Sequence, residues 1–274
     1  MKNCTFPDGS MVPTLGQGTW KMGGSKSVRQ READALRVGL DLGMTLIDTA
    51  EMYGDAELVV ADAIRGRRED VYLVSKVLPG NASLEGTIRA CENSLRRMDT
   101  DYIDLYLLHW PGSYPLSETL EAFRQLKLSG KIRSYGVSNF DVAEMEGAWN
   151  ENGGKGIATN QVLYNLKERG IEWSLLPWCR ERHIPVMAYS PVNQGSLPGG
   201  EIETIAARHG VTSFQVALSW LLNQDNVIVI PKSSNPVHVE QNHAASSLFL
   251  DAEDLRLLEA AFPAPAAATP LAIL

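Results

Sequence analysis

Cysteine is scarce in this chain, with three residues in 274, at Cys4, Cys91 and Cys179. They are odd in number, far apart and contain no Cys-x-x-Cys pair, which excludes a disulfide framework and a thiolate zinc site. Small reduced core residues of a cytoplasmic protein are the expectation. No apolar run is long enough to span a membrane. The opening residues, Met1 to Gly9, lack the apolar segment of a secretory signal, so export is not expected. Positive charge is in deficit, with 25 Lys and Arg against 33 Asp and Glu and a formal net charge of −8. A surface of that sign argues against a nucleic-acid partner, while leaving room for a local basic patch that holds one phosphate. A complete dinucleotide fingerprint is also missing. Gly16-Gln17-Gly18 supplies a G-x-G, but the third glycine position falls on Lys21, and Gly23-Gly24-Ser25 stands where a helix should open. These glycines mark instead a strand whose backbone is closely approached.

What the chain does have is 44% hydrophobic residues, ample for one large core, and a regular alternation of elements. Thr5 to Pro13 reads as a hairpin with Asp8-Gly9 at its turn, suited to plugging one end of a barrel. Helical periodicity covers Val28 to Leu42, closed by Gly43, then Ala56 to Arg65, Ser83 to Met98 and Ser117 to Ser129. Further helices are expected over Asp141 to Trp149, Glu172 to His183 with an internal Pro177, Glu201 to His209, Thr212 to Asn223 and Asp251 to Ala261. Short apolar runs lie between them, ending near Trp20, Asp48, Lys76, His109, Ser138, Val162, Tyr189 and Ile230. Strands apolar on both faces belong to a parallel sheet covered by helices. About eight of them, mostly each followed by a helix, predict one α/β domain over residues 1–274. Its architecture is a (β/α)8 TIM barrel with an N-terminal β-hairpin and extra helices near the C-terminus. An open doubly wound sheet is the second choice, since it would normally carry a nucleotide fingerprint at its first turn. Phe262 to Leu274 is apolar, rich in Ala and Pro, and without periodicity.

Three successive strands end on different ionisable side chains. Leu46-Ile47 runs into Asp48, Val71 to Ser75 into Lys76, and Ile103 to Leu108 into His109. In a parallel barrel these ends share the face on which chemistry is built. A carboxylate there is costly unless paired, and Lys76 is the available cation. Tyr53 follows Asp48 on a turn closed by Gly54 and Asp55. A phenol is a poor acid at neutral pH, and a neighbouring ammonium is expected to lower its pKa. His109 can donate to a substrate oxygen. Each residue alone has an ordinary structural reading, as a turn former, a loop aromatic or a satisfied strand end. Three consecutive strands ending in Asp, Lys and His point jointly to a proton-donating site aimed at a carbonyl.

Over nearly its whole length the sequence resembles the aldo-keto reductase family. The resemblance is carried by Asp48-Thr49-Ala50-Glu51-Met52-Tyr53-Gly54, by Gly130 to Phe140, and by Ile230-Pro231-Lys232-Ser233, with Leu107 to Pro111 between the first two. The overall pattern looks most like the bacterial reductases of methylglyoxal and related aldehydes. The resemblance implies a catalytic tetrad of Asp48, Tyr53, Lys76 and His109, with Tyr53 as general acid, and a nicotinamide cofactor bound without a Rossmann fold. It implies that Ser138, Asn139 and Gln161 hold the carboxamide and that Tyr189 stacks on the ring. Gly18, Thr19, Trp20 and Asp48 are expected beside the cofactor. Ser190, Pro191, Val192, Gln194, Gly195 and Ser196 form a belt over the pyrophosphate. Ile230, Lys232, Ser233 and Ser234 run toward the adenosine 2′-phosphate, with His238, Gln241 and Asn242 near the adenine end. A lysine with hydroxyls at a helix start suits a phosphate.

The family more often has Arg at the position of His238 and Glu at that of Gln241. A neutral imidazole cannot make a bidentate phosphate clamp. NADPH is the expected cofactor, and these two exchanges leave its margin over NADH open. Trp20, Tyr53, His109 and Trp110 are expected to line the substrate pocket, with Tyr114 beside them and the apolar tail as a wall. The reaction implied is reduction of small aldehydes and α-dicarbonyls by a monomer or weak homo-oligomer. Two other readings stand beside it. One is a barrel lyase with a Schiff base on Lys76, which Asp48 disfavours by keeping the lysine charged. The other is a cofactor-sensing regulatory subunit, for which the sequence offers no interaction segment.

Overall fold

The computed structural model describes residues 1–197 and 199–274. The chain opens on an antiparallel hairpin, β1 (Asn3–Thr5) and β2 (Met11–Pro13). Gly9 sits at its turn with φ +86°, and the Asp8 carboxylate accepts from the Ser10 amide at 2.9 Å. Eight parallel strands follow in chain order: β3 (Gln17–Gly18), β4 (Leu46–Asp48), β5 (Tyr72–Val77), β6 (Ile103–Leu108), β7 (Ile132–Ser138), β8 (Ile157–Leu163), β9 (Val186–Tyr189) and β10 (Val227–Val229). Main-chain bonds from Gly16 N to Val229 O at 2.8 Å and from Gly18 N to Pro231 O at 3.0 Å bring the last strand back to the first. The result is the expected barrel, nearly closed, with helices outside.

Alternation along the strands decides which side chains face inward. Leu46, Val74, Leu105, Leu107, Ala158, Met187, Ile228 and Ile230 pack together inside the barrel. Ile47, Leu73, Tyr106 and Val137 point outward to a second core under the helices. Two residues beyond inward Leu46, Val74 and Leu107 come Asp48, Lys76 and His109. The same period that fills the interior therefore delivers all three to its upper rim. The hairpin closes the lower end, where Cys4, Phe6 and Val12 join the interior cluster and Phe6 stacks on Tyr72 at 5.4 Å. Burial of Phe6 alone is worth roughly 1.5–3 kcal/mol. The close approach expected at the glycines is real and internal. A Cβ on Gly18 would lie 3.0 Å from the Ile230 carbonyl, so strand closure explains that glycine.

The helices are α1 (Lys26–Asp41), α2 (Ala56–Ile64), α3 (Leu84–Met98), α4 (Leu116–Leu128), α5 (Val142–Asn150), α6 (Leu175–Glu181), α7 (Glu201–His209), α8 (Ser213–Leu222), α9 (Pro236–Ala244) and α10 (Ala252–Ala261). Caps set several starts. Ser83 accepts from the Gly86 amide, and Asp141, Thr212 and Asp251 each close a capping box. One boundary differs from expectation. The Glu172 to His183 helix begins only at Leu175, after a 3₁₀ turn over Gly170–Glu172. Pro177 is thus in the first turn, where its missing N–H costs no intrahelical bond. The extra helices are α7, inserted between β9 and α8, and α10, which packs on α7. The tail beyond Phe262 lacks regular structure and crosses back over the barrel, so that the Leu274 amide lies 3.4 Å from the Tyr189 hydroxyl. No described helix is long and apolar enough to cross a membrane.

Candidate active site

Lys76 is the centre of the upper rim. It is completely buried, and its ammonium donates to Asp48 Oδ2 at 2.8 Å, to the Thr49 carbonyl at 2.9 Å and to the Tyr53 hydroxyl at 3.4 Å. Three acceptors use its three protons, which is what a buried ammonium requires. Burial pulls its pKa down, but Asp48 and Tyr53 more than offset this, and the net position is above the ordinary lysine value. A lysine held charged in this way is unsuited to forming a Schiff base, and the lyase reading loses its nucleophile.

Tyr53 departs from expectation in one respect. Burial raises the pKa of its phenol, Lys76 lowers it and Asp48 raises it again, leaving it above the usual tyrosine value. The expected depression by the ammonium is present as a contribution but does not prevail over desolvation. The phenol therefore keeps its proton throughout the neutral range, with the Lys76 ammonium 3.4 Å from its oxygen. His109 is also nearly buried. Burial, and secondly the Lys76 charge, push its pKa down to about 2, so its imidazole is neutral. Its ring meets Tyr53 edge-on at 5.7 Å and Trp110 at 4.8 Å. Nδ1 is buried without a partner among the described residues.

A second layer joins this group to the ends of β7, β8 and β9. Asp48 Oδ1 accepts from Gln161 Nε2 at 2.8 Å. Ser138 Oγ donates to the Gln161 carbonyl at 2.8 Å, and Asn139 Nδ2 donates to the His109 carbonyl at 3.0 Å. The Tyr189 hydroxyl donates to Asn139 Oδ1 at 2.9 Å. Asn139 holds φ +59°, a left-handed conformation that is rare outside glycine and concentrates at functional sites. The Gln161 side-chain oxygen accepts no hydrogen bond among the described residues, and the Tyr189 ring is half-buried over the barrel interior. An open amide acceptor beside an available aromatic face fits a nicotinamide. The Ser138 and Asn139 amide and hydroxyl donors are instead occupied within the protein.

The remaining expected residues divide by position. Gly18 and Ile230 belong to the closure of the barrel, and Thr19 Oγ1 donates to the Asp48 carbonyl at 2.9 Å, so these two strand ends support Asp48 from below. Trp20 and Tyr114 are exposed, and Trp110 is half-buried with its ring 4.8 Å from that of His109. Ser190, Pro191, Val192, Gln194, Gly195 and Ser196 form a tight loop with a 3₁₀ turn at Asn193–Gly195, and Ser190, Asn193 and Gln194 all take positive φ. Pro198, two residues past Ser196 in the sequence, lies outside the described residues. Lys232 is exposed and without an ion-pair partner among the described residues, with half-buried Ser233 and Ser234 beside it just before α9. Asn235, not either serine, caps that helix through the Val237 amide. His238 is exposed on the first turn of α9, and Gln241 and Asn242 are half-buried one turn on. The Ser233 hydroxyl donates to the Asn235 carbonyl and accepts from the Asn235 amide, both at 3.1 Å, which leaves the Lys232 ammonium and the Ser234 hydroxyl at this helix start to fit a phosphate.

Sequence reasoning missed several supporting residues. Asn165 holds the Ser190 carbonyl at 3.0 Å and so anchors the belt loop. Lys21, with φ +64°, lays its ammonium over the Trp20 ring at 4.1 Å and forms no ion pair among the described residues. Glu51 and Arg97 grip the Tyr53 turn. Asn165, Glu51 and Arg97 had no signal in spacing, because each acts on groups of other segments that only the fold brings near, and Lys21 had none because its contact is with the ring of the residue beside it.

Known proteins match this arrangement. The model of the aldo/keto reductase family covers residues 14–262. The methylglyoxal reductase YeaE of Escherichia coli K12 is 49% identical over 278 residues, 98% of each chain. The methylglyoxal reductase DkgB of E. coli O157:H7 is 32% identical, covering 91% of this chain and 92% of its own. An aldo/keto reductase from Klebsiella pneumoniae, solved with NADP and acetate, superposes with a TM-score of 0.97 at 47% identity, covering 100% of this chain and 99% of its own. A K. pneumoniae aldo-keto reductase solved with NADPH gives 0.96 at 47% identity over the full length of both. With a family match across most of its length and a reductase of 49% identity aligned nearly end to end, this chain belongs to the aldo/keto reductase family.

Proposed function

We propose that residues 1–274 act as one domain that reduces small aldehydes and α-dicarbonyls, methylglyoxal among them, to alcohols with NADPH. The observation that carries this reading is the buried ammonium of Lys76, set 2.8 Å from Asp48 and 3.4 Å from the Tyr53 hydroxyl. When bound, the reduced nicotinamide supplies a hydride to the carbonyl carbon. Gln161 would take the carboxamide on its free oxygen, with Asn139 and Ser138 shaping its seat and Tyr189 under the ring. Lys232, Ser233 and Ser234 would hold the 2′-phosphate, with His238, Gln241 and Asn242 toward the adenine, and the Ser190 to Ser196 loop would cross the pyrophosphate.

The chain's own part is proton transfer and orientation. His109, being neutral, donates from Nε2 to the carbonyl oxygen and fixes its direction. As charge grows on that oxygen, Tyr53 gives its phenolic proton to it, forming the O–H bond of the alcohol. The tyrosinate left behind is stabilised by Lys76, whose own charge is held by Asp48. A proton from solvent then restores the phenol. A preorganised donor pair of this kind acts where the transition-state charge develops. Trp20, Trp110 and Tyr114 favour compact uncharged substrates. Three buried free cysteines suit a reducing cytoplasmic setting, and the chain is proposed to act as a monomer or weak homo-oligomer.

The test is consumption of NADPH, followed at its absorbance band, with methylglyoxal and then with an aromatic aldehyde, repeated with NADH. Turnover faster with NADPH supports the reading. Tight NADPH binding without turnover of any simple carbonyl would replace it with a sensory role.

A further inference from the structure

Resting on the proposed role of Tyr53, we infer that Glu51 is a positioning residue for the reaction, holding the Tyr53 turn against the end of β5 so that the phenol meets Lys76 and the substrate. Asp48 sits on a strand, and its place is set by the sheet. Tyr53 does not. It lies on the turn between β4 and α2, where no ladder fixes the backbone. Within the turn the Tyr53 amide bonds the Ala50 carbonyl at 3.0 Å and the Ala56 amide bonds the Tyr53 carbonyl at 3.2 Å, and toward β5 the Thr49 amide bonds the Val74 carbonyl at 2.9 Å and the Glu51 amide bonds the Lys76 carbonyl at 3.3 Å. The remaining ties between this turn and its neighbours are made by side chains.

Glu51 supplies the grip on one side. Its carboxylate accepts from the Leu78 amide, and from Asn81 Nδ2 at 3.1 and 3.2 Å. Both donors lie just past β5, the strand that carries Lys76. One residue thus joins the loop bearing the proton donor to the strand bearing its cation, by its backbone and its carboxylate together. Arg97 grips the far side. From α3 its guanidinium donates to the Gly54 carbonyl and to Asp55 Oδ1 at 3.3 Å, and its Nε reaches buried Glu57 at 2.9 Å. Tyr53 stands between these two anchors.

Holding a carboxylate at this place opposes its preference for water. Burial raises the Glu51 pKa, and the Leu78 and Asn81 hydrogen bonds only partly offset this. An acid kept half-buried against desolvation, with its oxygens spent on two donors of the neighbouring loop, has geometry rather than surface charge as its use. A displacement of about an ångström in a reacting group lowers rate strongly while leaving binding contacts largely intact. The effect should therefore fall on kcat.

The experiment compares Glu51→Ala, Glu51→Gln and Tyr53→Phe with the parent enzyme. It measures NADPH affinity by fluorescence quenching, kcat and KM for methylglyoxal, and the solvent deuterium isotope effect on kcat. Glu51→Ala should lose ten- to a hundredfold in kcat, keep NADPH affinity and KM within about threefold, and show a larger solvent isotope effect as proton transfer from Tyr53 becomes slower. Glu51→Gln should recover at least half of that loss on a logarithmic scale, because its amide oxygen still accepts from Leu78. Asn81→Ala, which leaves the core untouched, should show the same pattern more weakly. A Glu51→Ala enzyme within twofold of the parent in kcat, beside an inactive Tyr53→Phe, would overturn this inference alone. Loss of NADPH affinity in step with kcat, or an unchanged isotope effect, would also overturn it by pointing to a general structural role. Normal turnover by Tyr53→Phe would remove the proton-donor reading and this inference with it.

Discussion

Gln161 Nε2 donates to Asp48 Oδ1 at 2.8 Å, across a sequence separation of 113 residues. This bond ties the side of the barrel proposed to hold the nicotinamide carboxamide to the side that holds Tyr53, the proposed proton donor. Asp48 is then shared, with Gln161 on one oxygen and Lys76 on the other. Gln161→Leu removes the donor and the free amide oxygen together. Hydrogen bonds to charged groups are worth about 1.5–3 kcal/mol. The variant should therefore bind NADPH at least tenfold more weakly by fluorescence titration and lose a similar factor in kcat. Unchanged kcat at saturating cofactor would mean that Asp48 needs no such support.

Lys76 and Asp48 can be separated into structural and chemical roles. Lys76→Met leaves a buried carboxylate without its cation, and breaking a buried pair costs about 3–5 kcal/mol. Chemical denaturation should show that loss, and turnover should fall by at least about a hundredfold. Adding Asp48→Asn to Lys76→Met removes the stranded charge. The double variant should regain most of the stability and none of the activity. Recovery of activity with stability would contradict a catalytic role for the pair.

His109 makes a prediction in pH. Its folded pKa is pushed down to about 2, by burial first and the Lys76 charge second, whereas an unfolded histidine titrates at about 6.5. The native state refuses a proton that the unfolded state accepts. The stability this represents is complete above about pH 6.5 and is lost as pH falls toward the folded value, at up to about 1.4 kcal/mol per pH unit. Unfolding free energies measured between pH 7 and 5 should fall more steeply for the parent than for His109→Asn. By the same reasoning the reduction rate should carry no ionisation of His109 between pH 6 and 8. A rate limb in that range that disappears in His109→Asn would contradict the neutral assignment.

The phosphate end should behave as an electrostatic site. Lys232→Ala should weaken NADPH at least tenfold while changing NADH by less than threefold. His238→Arg should widen the preference for NADPH, because a guanidinium is always charged and can make two parallel bonds. Equal effects of Lys232→Ala on both cofactors would place the 2′-phosphate elsewhere.

Much of this was readable before the fold was known, for a specific reason. A strand has a period of two, so the apolar residues that fill a barrel also aim the residue two places on at its rim. Leu46 predicts where Asp48 points, Val74 where Lys76 points, and Leu107 where His109 points. Helix starts were similarly legible at Ser83, Asp141 and Asp251, whose side chains cap the backbone locally. Two things were not legible. The start of α6 at Leu175 depends on a 3₁₀ turn that carries no periodic signal, so Pro177 looked internal when it is in the first turn. The direction of the Tyr53 shift depends on how dry its surroundings are, and a nearby lysine in the sequence says nothing of that. Glu51, Asn165 and Arg97 escaped for a related reason. Their partners, backbone and side-chain atoms of other segments, are brought within reach only by the folded chain.

The central claim is that Tyr53 delivers the proton, and the most direct measurement is turnover of methylglyoxal by Tyr53→Phe at saturating NADPH, with cofactor affinity measured on the same sample. The account predicts NADPH binding within about threefold of the parent and a loss of at least a hundredfold in kcat. Turnover close to the parent's, with the cofactor equally well bound, would contradict it and assign the proton to another group.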